Sequence, residues 1–254
     1  MSKLYLYALV RNDGEISLPH IAPVGNPDGA ISWFGLGKIA AVVSETDQDE
    51  IMSTRRNMLI HTKVLEEVMV SHAILPFSFG TIVDDIAALE TLIRGQESRL
   101  LADLQGLTDM VEVGIRATWD ETVIFREIVQ DSLELRRLAE QIKTRPANET
   151  YYDRIELGRQ VEVIIKAKRD AESKSLIAQL SAIAAKSKIH SSSAEMVVVD
   201  GAFLVEASRE KELLAVLEAA ESRSPDRFAF KYLAPVPPYN FVALKFTAPN
   251  AQAA

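Results

Sequence analysis

The chain has 254 residues and no cysteine, which excludes disulfides, thiol catalysis, iron–sulfur ligation and cysteine-bound zinc; its length predicts two units of about 100 to 120 residues. Hydrophobic residues make up 48% and charged residues 25%, no apolar run approaches the roughly 18 residues that span a bilayer, and the opening carries no secretory leader, so a soluble cytoplasmic protein is expected. With 36 acidic against 28 basic residues the net charge is -8, and Arg and Lys are interleaved with Glu, which disfavours nucleic acid because such partners need clustered cations.

Lys3 to Val10 alternates Leu4, Leu6, Ala8 and Val10 with Tyr5, Tyr7 and Leu9, which predicts a strand buried on both faces, with the two sets on opposite sides. Pro19, Pro23 and Pro27 then make residues 14–29 a long loop. Ala30 to Phe34 and Lys38 to Ser44 form a hairpin across Gly35-Leu-Gly37, which opens no helix and lacks the third glycine of a dinucleotide fingerprint. Residues 54–72 read as a helix capped by Ser53, with Met58, Thr62, Leu65, Met69 and His72 inward. The extended run from Ala73 to Val83 ends at Asp84 and Asp85, which suit the start of a second helix to Leu104 with Ile86, Leu89, Ile93 and Leu100 inward.

Met110 to Trp119 alternates as a strand and opens a second unit, with the boundary near Gly106. Residues 120–188 read as helical, broken at Pro146, and the longer piece carries Tyr151, Ile155, Gly158, Val161 and Ile165 on one face, with Gly158 expected against another backbone. A polar run, Ser187 to Ser193, follows; then Glu195 to Asp200 and Ala202 to Ser208 are expected to pair as a hairpin, Arg209 to Ser222 to form a helix, and Arg227 to Leu233 a last strand. Pro235, Pro237 and Pro238 end that strand, yet Leu233, Val236, Tyr239 and Phe241 keep the apolar density of a buried element. The segment either plugs a seam of its own protein or faces a partner.

The order strand, helices, two strands, helix, strand is that of a ferredoxin-like sandwich, and the first half repeats it without the opening helix. The expected fold class is therefore α+β: two tandem, modified ferredoxin-like domains, antiparallel sheets covered by helices, with a long helical insertion in the C-terminal half. The domains are placed at 1–106 and 107–246, the second with a helical extension at about 120–190, followed by a disordered tail at 247–254. No catalytic, cofactor or metal site is expected. His61 and His72 share a helix face but stand roughly 16 Å apart along it, too far for one metal, and Asp84-Asp85 reads as a helix start. No phosphate-binding loop, Gly-x-Ser-x-Gly elbow or His-Glu-x-x-His occurs.

Three stretches, Leu75-Pro-Phe-Ser-Phe-Gly-Thr81, Tyr151-Tyr-Asp-Arg-Ile-Glu-Leu-Gly158 and Ala234-Pro-Val-Pro-Pro-Tyr-Asn-Phe241, together with Leu4-Tyr-Leu-Tyr-Ala8, resemble the GvpF/GvpL family of gas vesicle proteins over nearly the whole chain. Ser78 stands where that family often has arginine, and Ala234 and Val236 replace a more usual glycine and tryptophan, so contacts through that cation or indole are not carried over. The resemblance implies a non-enzymatic minor component of gas vesicles, located at the vesicle and cytoplasmic before assembly. It implies action early in assembly, binding the small hydrophobic shell protein and limiting its aggregation, with other gas vesicle accessory proteins as additional partners; self-association of the chain stays open. The partner-binding residues expected are Leu75, Pro76, Phe77, Phe79, Tyr151, Tyr152, Leu233, Pro235, Pro237, Pro238, Tyr239 and Phe241, the long helix packing beneath. The competing class is a ferredoxin-like small-molecule-binding regulatory protein or an enzyme, since that fold hosts many functions.

Overall fold

The structure, a computed structural model, describes residues 2–14, 18, 20–242 and 244; the expected tail at 247–254 lies outside them. The chain divides into two compact units, one made of Met1–Glu112 and Pro235–Ala254, the other of Val113–Ala234. The division falls six residues beyond the expected boundary near Gly106 and returns the proline segment to the first unit.

In the first unit, β1 (Lys3–Arg11) runs antiparallel to β3 (Ile39–Thr46), which pairs with β2 (Ile31–Leu36) across Gly37 at φ 70°, a left-handed turn that glycine adopts without strain. After α1 (Arg55–Met69), β4 (Leu75–Pro76) and β5 (Ile82–Val83) both pair antiparallel with β1. Pro76 offers no backbone donor, and the chain loops out at Ser78–Gly80 before Thr81 rejoins the ladder by accepting from Leu6 N at 2.9 Å. The strand order is β2-β3-β1-β4, with the opening strand between the hairpin and the last strand.

Strict alternation in β1 does not hold. The register shifts between Leu6 and Ala8, a bulge that reverses which side chains face the helix, so Tyr5 and Tyr7 join Ala8 and Val10 in one core with Val64, Leu65 and Val68 of α1. The buried stripe of α1 is thus His61, Val64, Leu65 and Val68, while Met58 is exposed, and the cap is Thr54, whose hydroxyl accepts from Asn57 N, in place of Ser53. The expected second helix is two: α2 (Ile86–Ile93), capped by Asp85, and α3 (Glu97–Gln105), separated by Gly95 at φ 77°. Leu89, Ile93, Leu100 and Leu104 are buried and Ile86 is exposed.

In the second unit β6 (Met110–Trp119) matches its predicted span, and α4 (Glu121–Asp131), α5 (Leu133–Thr144) and α6 (Tyr151–Ile183) follow. Arg145 is extended ahead of Pro146, as the ring of a following proline requires. α6 packs on α4, α5, β8 (Val197–Glu206) and α7 (Glu210–Arg223). The expected hairpin inside 195–208 is one continuous strand, β8, and its antiparallel partner is β7 (Lys186–Ile189), where the helical reading extended to residue 188 and the polar run began. β7 escapes an apolar pattern because all four residues are exposed; Lys186 and Lys188 are the charges that guard a sheet edge. β9 (Phe228–Val236) continues through Pro235, which an outermost strand tolerates. The order β7-β8-β6-β9 again sets the opening strand between hairpin and last strand, so among the described residues two antiparallel sheets with seven helices make an α+β fold compatible with a ferredoxin-like tandem.

Candidate functional site

In the first unit, the packing of α1 on β1 places the imidazole of His61 between three tyrosines. Tyr7 stacks on it at 5.5 Å between centroids, while Tyr5 and Phe79 meet it edge-on at 5.7 Å each. His61 Nδ1 lies 2.9 Å from Tyr5 Oη and Nε2 lies 2.9 Å from Tyr239 Oη. The Tyr239 hydroxyl donates to the Phe77 carbonyl at 3.1 Å, so towards His61 it must accept, which puts the imidazole proton on Nε2. Nδ1 then accepts from Tyr5, whose oxygen in turn accepts from Gly80 N at 3.2 Å. Both ring nitrogens are thus engaged, with the histidine neutral.

Burial holds His61 at a pKa of about 4, below its ordinary 6.5, only partly offset by hydrogen bonding to the Phe77 backbone carbonyl. Burial likewise pushes Tyr5 and Tyr7 upward, and raises Tyr239 to about 12. A second tether lies next to it: Asn240 donates from its backbone N at 3.2 Å and from Nδ2 at 2.7 Å to the carboxylate of Glu112, which is buried.

This network joins two of the three stretches singled out in the sequence, 75–81 and 234–241, through Tyr239 and Phe77. Leu75, Pro76 and Phe77 are buried, as are Pro237 and Pro238; Phe79 and Phe241 are half-buried, and Pro235 is exposed. Tyr239 shows 41% of its surface although its hydroxyl is fastened at both sides. In the second unit Leu233 is exposed on β9, and Tyr151 and Tyr152 stand exposed on the first turn of α6, so the expectation that this turn packs beneath other elements does not hold. Gly158 meets nothing within 4 Å where another backbone was expected. The helix has no partner there because its inward face begins at Val161 and continues through Ile165, Leu176 and Leu180.

A polar centre that the sequence did not reveal lies in the second unit. Arg227, 8% exposed, donates from Nη1 and Nη2 to the two carboxylate oxygens of Glu172 at 2.8 and 2.6 Å and from Nε to Glu127 at 2.8 Å. Its guanidinium covers the Trp119 and Phe228 rings at 5.4 and 5.1 Å, and Trp119 Nε1 donates to Glu172. Lys168 adds a cation 3.3 Å from Glu127. The partners come from β6, α4, α6 and the start of β9, separations that no local pattern encodes. An open cleft of about 240 Å³ borders it, lined also by Ser175, Gln179 and Arg223.

Among the described residues no three His, Asp or Glu side chains are grouped to hold a metal ion, and no helix is long and apolar enough to cross a membrane.

The family model for gas vesicle synthesis protein GvpL/GvpF matches residues 3–243. Gas vesicle protein F of Streptomyces sp. (strain CB03234) is 28% identical over 239 residues, covering 94% of this chain and 98% of that protein. Gas vesicle protein F of Dolichospermum flosaquae is 26% identical over 206 residues, covering 79% and 82%. In fold, the chain is similar to the crystal structures of GvpF from Anabaena sp. PCC7120, with TM-score 0.80, 20% identity and coverage of 96% and 99%, and from Microcystis aeruginosa, with TM-score 0.72, 21% identity and coverage of 95% and 99%. An element order, a strand order and a full-length sequence match thus agree, and the chain belongs to the GvpL/GvpF family of gas vesicle proteins.

Proposed function

We propose that this protein acts without catalysis in gas vesicle assembly, capturing the small hydrophobic shell protein and limiting its aggregation during nucleation. Its place would be the gas vesicle, and the cytoplasm before assembly, among other gas vesicle accessory proteins. Family membership supports the gas vesicle role. The observation that carries the capture reading is Tyr239: an aromatic ring left 41% exposed while its hydroxyl is held between His61 and the Phe77 carbonyl. A ring fixed in this way meets an apolar partner without losing much rotamer freedom, which is how aromatic anchors contribute most to binding.

On this reading the twelve residues divide by burial. Tyr239, Phe79 and Phe241 offer the contact in the first unit; Leu75, Pro76, Phe77, Pro237 and Pro238 hold it rigid from below. Pro235, and in the second unit Leu233, Tyr151 and Tyr152, are exposed and free for further contacts.

The test is co-expression of the tagged chain with a gas vesicle shell protein, measuring soluble shell protein retained on the tag. Wild type should retain it, and Tyr239→Ala should lose most of the retention while Tyr239→Phe, which keeps the ring, keeps it. If capture and melting temperature fall in step across both variants, the ring is only structural; if wild type retains no shell protein, the capture mechanism is wrong.

A further inference from the structure

The outer face of α1 is charged in an order that works against the helix itself. Arg55 and Arg56 occupy its first turn and Glu66 and Glu67 its last, the reverse of what the helix dipole favours, and the first turn holds no acid and the last no base. Among the described residues none of these four side chains has an ion pair or side-chain hydrogen bond within the chain. The same face carries exposed apolar groups at its middle and its C-terminal end: Leu59 is 59% exposed and Val70 86%.

These positions form a single stripe. Residues 55, 59, 63, 66 and 70 are spaced by three or four, the interval that keeps side chains on one side of a helix, with Arg56 and Glu67 at its flanks. Reversed about its midpoint, at the level of residue 61, the stripe reads as its own complement. Arg55 then meets Glu67, Arg56 meets Glu66, and Leu59 meets the aliphatic stem of Lys63. A two-fold axis makes each pair occur twice, giving four ion pairs about two central Leu59–Lys63 contacts.

We propose that a second copy of this chain docks on the outer face of α1, the two helices antiparallel. The charge order that costs the isolated helix stability is repaid by the opposite order in its partner. One helix pair lies at the small end of specific interfaces, so the dimer is transient and salt-sensitive. This inference is independent of shell-protein capture, which rests on Tyr239.

Sedimentation velocity of the full chain over about 1 to 500 μM, at low and high salt, tests it. Wild type should show reversible dimerisation that weakens as salt rises. Arg55→Glu with Arg56→Glu should weaken it at least about tenfold, and Glu66→Arg with Glu67→Arg equally, because each leaves like charges facing. Both changes sit well with the dipole, so neither variant should melt earlier than wild type. Combining all four substitutions inverts the order and should restore the dimer, as should an equimolar mixture of the two double variants. A monomer throughout the range, or a dimer indifferent to the reversals, overturns the proposal. So does a chain that stays monomeric but loses shell-protein capture in the reversed variants, which would assign this face to the shell protein.

Discussion

Replacing His61 by Phe should change the pH dependence of stability more than stability itself. In the folded chain burial holds the imidazole at a pKa of about 4, whereas it returns to 6.5 when unfolded. A depressed pKa means that the unfolded chain binds the proton first: His61 does not penalise folding above pH 6.5, and costs progressively more as pH falls towards 4, after which the cost levels off. The free energy lost is about 2 kcal/mol at pH 5 and about 3 kcal/mol at pH 4. The structural reason is that a proton on Nδ1 would point at Tyr5 Oη, which already accepts from Gly80 N and has its own proton committed to that nitrogen. Near pH 7.5, His61→Phe should be less stable by about 1 to 3 kcal/mol through the lost hydrogen bonds to Tyr5 and Tyr239. Urea unfolding of both proteins from pH 7.5 to 4 should show this gap closing, and at pH 4 the variant should equal or exceed the wild type. Parallel curves across that range, or a His61 resonance titrating near 6.5 by NMR, would refute the account of a neutral, fully committed imidazole.

Arg227→Met should cost about 2 to 4 kcal/mol in the second unit, because Glu172 and Glu127 lose a shared cation in a partly buried site; Arg227→Lys should recover little, since an ammonium cannot serve both carboxylates and cover the rings, and thermal melts compare the three. Gly158→Ala should stabilise the protein by about 0.5 to 1 kcal/mol, seen as a raised urea midpoint, because an added methyl meets nothing and the helix loses less backbone entropy. Gly37→Ala should destabilise by about 1 kcal/mol or more by the same assay, since Gly37 sits at φ 70° and its Cβ would come 2.7 Å from Glu97 Oε1. Asn240→Ala should lower stability by about 1 to 2 kcal/mol by removing one donor from the buried Glu112 carboxylate; no change would mean that this tether is not needed.

Local chemistry in the sequence was enough to place most elements. β6 from Met110 to Trp119 needs only alternation, the break at Arg145 only the following Pro146, and the start of α2 only Asp85 as a cap. The two proline–aromatic segments stand out because proline and large apolar groups rarely share a solvated loop, and the family resemblance rests on the same residues.

What depended on partners far along the chain was decided by tertiary structure. A single bulge in β1 turned Tyr5 and Tyr7 into the core of Ala8 and Val10, since one extra residue exchanges the faces of a strand. β7 has four exposed residues and exists because β8 supplies its hydrogen bonds. Tyr239 reaches His61 across 178 residues and Arg227 reaches Glu127 across 100, distances over which no periodicity carries information. Short-range propensity acts through neighbours within a turn or a pleat, and therefore writes itself into the sequence. Which exposed side chain is fastened, which glycine is left open and which charge finds a partner are settled only when the elements meet, because burial and hydrogen-bond geometry are properties of the assembled surface.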